Sequence, residues 1–120
     1  MTWAGGVAWI VVLMQAAFGA LELLAPRVVL DRVFPGYYDT RGNPVWDDAA
    51  VIARNMGLYN WFLAAGLALA LTGMLGGGAA AFFLACVCLA GVFGIFSVGP
   101  SAAFFGQFGV ALVALLMRCV

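Results

Sequence analysis

The chain has 120 residues, of which 67% are hydrophobic and only 8% charged, and its formal net charge is zero. Soluble domains carry about 45–50% apolar and about 25% charged residues, and short chains bury the smallest fraction of their surface. A compact soluble enzyme, a disordered tail and a disulfide scaffold are therefore excluded. All five basic residues are arginine, and there is no lysine or histidine. Nucleic-acid binding, which needs a basic field, has no support. Histidine-held haem or metal, lysine Schiff bases and Ser–His hydrolysis are likewise outside the chemistry of this chain. No cofactor and no metal site are expected. The natural partner is a lipid bilayer.

A membrane span needs about 20 mostly apolar residues. Residues 2–21 carry no charge, and the apolar run continues to Ala25 with Gln15 and Glu22 as its polar interruptions. A secretory signal peptide would show a basic start, a polar break and a small-residue cleavage site, where this chain has Pro26. The first transmembrane helix is placed at 3–24. Residues 26–54 form the polar segment. Within it, Val28, Val29, Leu30, Val33 and Phe34 alternate with Arg27, Asp31 and Arg32, the pattern of a short helix in the headgroup layer. Pro35-Gly36 and Gly42-Asn43-Pro44 then turn the chain. Tyr37, Tyr38 and Trp46 suit a membrane interface, and Asp47 or Asp48 can cap the next helix before it enters lipid.

From Asn55 to Met117 no residue is charged. Gly76-Gly77-Gly78 and the stretch Ser97-Val98-Gly99-Pro100-Ser101 break this run into spans 55–75, 79–97 and 102–118. At 1.5 Å per residue each reaches roughly 25–32 Å, about one hydrocarbon core. The expected architecture is all-α: one domain over 1–120, an integral membrane bundle of four transmembrane helices with an interfacial segment between the first two. Arg27, Arg32, Arg41 and Arg54 against Arg118 place loop 26–54 in the cytoplasm and both termini outside, in a bacterial inner membrane.

Polar groups inside hydrocarbon are costly, so each is a candidate for function. Gln15 and Glu22 lie two turns apart on one face of the first helix, with Gly19 between them. Arg54, Asn55, Tyr59 and Asn60 crowd the start of the second span, and Gln107 lies within the fourth. Counted from the loop side, Glu22 and Arg54 fall at the boundary and suit an ion pair. Gln15, Asn60 and Gln107 fall six or seven residues deeper, with Tyr59 beside them, all expected to point inward. Such a layer is either interhelical glue or a polar pocket for a ligand. Two spacing patterns suggest close helix packing: Asn55, Tyr59, Phe62, Gly66, Ala70 and Gly73 in one helix, and Cys86, Ala90, Gly94 and Ser97 in the next. Ala102, Gly106 and Gly109 repeat the pattern in the last. Cys86, Cys88 and Cys119 read as small apolar fillers.

The stretch NMGLYNWFLAAGL at 55–67 resembles the signature N-x-G-L-Y-N-x-F-L-A-A-G-L of small bacterial membrane proteins grouped as domain of unknown function 1304. Glu22 is similar to that family's acidic residue near the end of helix one. Gly91 and Gly94 resemble its glycine-bearing third helix, and Gln107 its glutamine in the fourth. The chain departs from the pattern at Gln15, where the family usually has histidine or another polar residue. It also lacks the lysines usually found between helices three and four, where it has Val98-Gly99-Pro100. The resemblance implies a four-helix inner-membrane protein and carries no established activity.

The leading functional expectation is a non-catalytic homo-oligomer that binds or passes a small amphiphile or lipid between its helices. The alternative is an accessory or assembly subunit of a larger membrane complex. An enzyme on a lipid-like substrate, with Glu22 as acid or base and Tyr59 assisting, ranks lower. So does a small multidrug-type exporter, because such proteins carry a glutamate midway along helix one, where this chain has Gln15. The candidate ligand-binding residues are Gln15, Glu22, Arg54, Asn55, Tyr59, Asn60 and Gln107.

Overall fold

The computed structural model describes residues 3–33 and 44–119, and within them the chain is all-α. Helix α1 spans Trp3–Leu24, α2 Pro26–Val33, α3 Pro44–Leu71, α4 Ala79–Ser97 and α5 Ala102–Cys119. Local chemistry sets most of these ends. Pro26 and Pro44 occupy first helical positions, where a missing N–H costs nothing. Ser101 caps α5, its Oγ accepting the Phe104 N–H at 3.3 Å.

The end of α3 is a glycine cap. Gly73 takes φ +79°, its N–H donates to Ala70 O at 3.3 Å, and the Met74 N–H donates to Leu69 O at 3.0 Å. This bond pair is the Schellman motif, which favours glycine because only it enters the left-handed region at little cost. Gly73 therefore terminates the helix instead of extending its packing stripe. The helix begins at Pro44, ahead of the expected span at 55 and a few residues before Asp47 and Asp48, which lie inside it instead of capping it. Much of the polar segment is thus helical, over Pro26–Val33, where its pattern indicates a short helix, and from Pro44 onward. The turns at Pro35-Gly36 and Gly42-Asn43, together with Tyr37, Tyr38 and the Trp46 side chain, lie outside the described residues.

Helices α1 and α3 pack intimately, as do α4 and α5, and contacts of α1 with α5 and α3 with α4 close the ring. Val11, Leu67, Leu84, Val87, Ala111 and Ala114 lie at its centre, each almost fully buried. Glycines set the closest approaches. A Cβ on Gly57 would sit 2.8 Å from Gly19 O, and one on Gly19 would sit 2.8 Å from Gly57 O, so the α1 and α3 backbones touch there. Gly66 accommodates the Phe83 ring, while Gly91 and Gly94 accommodate Phe108 and Phe104.

The face that α3 buries is Ala50, Ala53, Gly57, Ala64 and Leu67, a three-four spacing of small residues that lets backbones approach. It is not the expected stripe, since Asn55, Tyr59 and Phe62 are exposed. On α4 the buried face is Ala80, Leu84, Val87, Cys88, Gly91 and Gly94, so of the expected stripe Gly94 is buried while Ala90 and Ser97 are exposed. On α5 a Cβ on Gly106 or Gly109 would meet nothing, and the buried positions are Gln107, Ala111 and Ala114.

Helix α3 has 28 residues, about 42 Å, which accounts for most of the 49 Å long axis. Its first turns overhang the end of α1, and α2 lies against that overhang, with Leu30 buried among Ala49, Ala50 and Ala53. The outside of the bundle is apolar: Leu13, Phe82, Leu89, Phe93 and Phe96 are all more than half exposed. Among the described residues two helices, α1 and α4, are long and apolar enough to cross a membrane, and only 28% and 33% of their most apolar stretches are buried. The apolar part of α5, Ala102–Arg118, is shorter.

Candidate functional site

The Gly19–Gly57 contact fixes what faces what. At this antiparallel crossing Glu22 packs against Gly57, and Asn60, about one turn further along α3, donates through Nδ2 to Glu22 Oε2 at 2.7 Å. One layer away, Gln107 Nε2 of α5 donates to Gln15 Oε1 of α1 at 3.1 Å. Gln15 is 1% exposed and its own Nε2 is buried with no partner. An orphaned buried donor is unusual, because desolvating it costs about 1–3 kcal/mol.

The expected single polar layer is thus two pairs at two depths. Asn60 is level with Glu22, not with Gln15. The expected Glu22–Arg54 ion pair does not form, because Asn60 takes that place. Arg54 lies six residues, roughly 9 Å, further along α3. The register is set by the close contact of Gly19 with Gly57, which counting from the ends of the uncharged runs does not reveal. Arg54 is exposed beside a separate ion pair, Arg27 Nη2 to Asp47 Oδ1 at 2.9 Å, which ties α2 to the start of α3. Arg27, Asp47 and Arg54 together line a shallow groove of about 460 Å³. With side chains 63% and 69% exposed, the ion pair contributes at most about 1 kcal/mol.

Tyr59 and Asn55 do not join the site. Successive helical residues point about 100° apart, so a face carrying Gly57 and Asn60 turns these two outward. Tyr59 is 59% exposed, with its ring edge-on to Phe62 at 6.4 Å. The pairing of Glu22 with Tyr59 that an enzymatic reading requires is therefore absent.

Above Glu22 and Asn60 opens a cavity of about 790 Å³ between α2, the overhang of α3 and the ends of α1, α4 and α5. Glu22, Asn60 and Gln107 supply its polar lining, while Phe18, Met56, Phe93 and Phe104 are among its apolar walls. Arg32 of α2 lines it and is exposed at its rim. Several wall residues were not among the sequence candidates. Phe93 and Phe104 read as ordinary membrane-helix aromatics, and only the convergence of α4 and α5 brings them to one space. The volume falls within the roughly 300–1,000 Å³ of small-molecule sites, and an apolar enclosure with a few convergent polar groups is their usual composition.

An all-α chain with apolar outer faces and a polar-floored cavity at one end defines a class of small helical bundle. The model of a family described as proteins of unknown function, DUF1304, matches residues 9–119, and the chain belongs to that family. No curated protein and no solved structure matches it.

Proposed function

We propose that this protein is a four-span integral membrane bundle that binds a small amphiphile or lipid in the cavity between its helices, without catalysing a reaction. The cavity carries this reading: about 790 Å³ of largely apolar space, with Glu22, Asn60 and Gln107 gathered on its floor. Apolar walls suit a hydrocarbon tail, and convergent polar groups suit a head. Four spans are supported by the exposed apolar faces of α1 and α4, the uncharged residues 55–71 of α3, and the apolar α5. A soluble bundle would hide such surfaces. The Glu22–Asn60 and Gln15–Gln107 pairs join three helices, and Glu22, Asn60 and Gln107 of these also floor the cavity, so these three serve packing and binding together while Gln15 lies buried behind it. Homo-oligomerisation belongs to the same proposal, and the exposed apolar side chains of α3 that support it are Leu58, Tyr59 and Phe62.

Filling the cavity tests the reading. Ala103 lines it and has a small side chain. Ala103→Trp is expected to abolish saturable binding of alkyl amphiphiles to the purified protein while the helical circular-dichroism signal persists. Unchanged binding would remove the cavity from the proposal.

In this reading, the 26–54 segment is cytoplasmic and both termini are outside a bacterial inner membrane. In a variant without native cysteines, an impermeant thiol reagent applied to intact cells is expected to leave Asp39→Cys unlabelled and to label a cysteine at position 119. The reverse pattern would invert the topology.

A further inference from the structure

We infer that the cavity selects a single-chain amphiphile with an ammonium head, which Glu22 binds at the floor. This rests on the binding function proposed above and adds the class of ligand. The neutral polar groups on the floor do not decide the matter. Asn60 and Gln107 each keep a free carbonyl oxygen and one free amide N–H after making their bonds to Glu22 and Gln15, so they offer acceptors and donors equally.

Charge decides it. The charged side chains among the described residues lining the cavity are Glu22 and Arg32. Arg32 is exposed at the rim, where water weakens its field, whereas Glu22 is half-buried at the floor. Asn60 occupies one carboxylate oxygen, Oε2, leaving Oε1 for a ligand. Among the described residues no arginine pairs with Glu22, and the basic side chain expected there, Arg54, lines the outer groove with Arg27 and Asp47. The Glu22 carboxyl is thus the one ionisable group that the described residues place at the floor, and none of them gives it a cationic partner. An ammonium group supplies both the charge and the hydrogen-bond donors that this position lacks.

One further feature favours a cation. Phe18, Phe93 and Phe104 line the same space, and aromatic faces attract ammonium groups. The volume matches a drug-sized or single-chain molecule, not a whole two-chain phospholipid.

The test is a head-group series at constant tail. Dodecylamine, dodecanol and dodecanoate are titrated against the protein in phosphatidylcholine nanodiscs, with empty nanodiscs subtracted. Dodecylamine is expected to bind about tenfold more tightly than dodecanol, the gain when both donor and acceptor are charged instead of the acceptor alone. Dodecanoate should bind more weakly than either. Glu22→Gln keeps the shape and an oxygen for Asn60, and should erase the amine preference by weakening dodecylamine far more than dodecanol, whose hydroxyl loses only part of its bond. Equal or tighter binding of dodecanoate, or an amine preference that survives Glu22→Gln, would overturn the inference. Competition by phosphatidylethanolamine as strong as by dodecylamine would overturn the single-chain assignment. The series on the unaltered protein decides the matter even if Glu22→Gln does not fold. Failure of all three compounds to saturate would count against the cavity's binding function itself, which Ala103→Trp probes separately.

Discussion

Gly57→Ala is expected to destabilise the bundle by about 2–3 kcal/mol, although alanine is the better helix former by about 1 kcal/mol. The added methyl would sit 2.8 Å from Gly19 O and 2.9 Å from Glu22 Cβ, and the first of these is backbone that cannot rotate away. The two helices must separate, and the 2.7 Å bond from Asn60 to Glu22 is the first interaction to stretch. Gly106→Ala is the matching control. A Cβ there meets nothing within 4 Å, so the propensity gain should survive as a neutral or slightly stabilising change. Unfolding of both variants by denaturant titration in mixed micelles measures the contrast. If the two alanine substitutions behave alike, the α1–α3 crossing is not where the structure places it.

Gln107→Leu should cost about 2 kcal/mol, and Gln15→Leu distinctly less. Both remove the same 3.1 Å bond, but they leave different survivors. Without Gln107, Gln15 keeps its whole amide in an environment where it is 1% exposed, and its carbonyl joins the already orphaned Nε2. Each unsatisfied buried group costs about 1–3 kcal/mol. Without Gln15, Gln107 still lines the cavity, where water or a ligand head can satisfy it, and the orphaned donor has gone. The double variant should recover part of the Gln107→Leu loss, because two apolar side chains then replace a partly satisfied pair. The four stabilities form one double-mutant cycle. Equal costs for the two single changes would show that Gln15 has a partner or water that relieves its Nε2.

Much of this protein was determined by sequence alone. The uncharged runs with breaks at Gly76-Gly77-Gly78 and at Val98-Gly99-Pro100 place α1, α4 and α5 within a residue of their ends, because hydrophobic continuity and turn chemistry are local properties. The motif at 55–67 indicated the family, and Glu22, Asn60 and Gln107 were legible as candidates because polar residues are rare in such runs. The glycine cap was not read: Gly73 was expected on a packing stripe with the break at Gly76-Gly77-Gly78, whereas α3 stops at Leu71 and Gly73 turns the chain. The tertiary structure decided the register and rotation of α3. A helix with an amphipathic start and an all-apolar end gives little sign of which face turns inward, so Tyr59 and Asn60, neighbours in the chain, could not be ranked. The close contact of Gly19 with Gly57 settles that choice: it turns Asn60 towards Glu22, sends Tyr59 outward, and leaves Arg54 a turn and a half away. The cavity exists only because the ends of α1, α4 and α5 converge beneath α2 and the overhang of α3, and no local pattern records how separate segments converge in space.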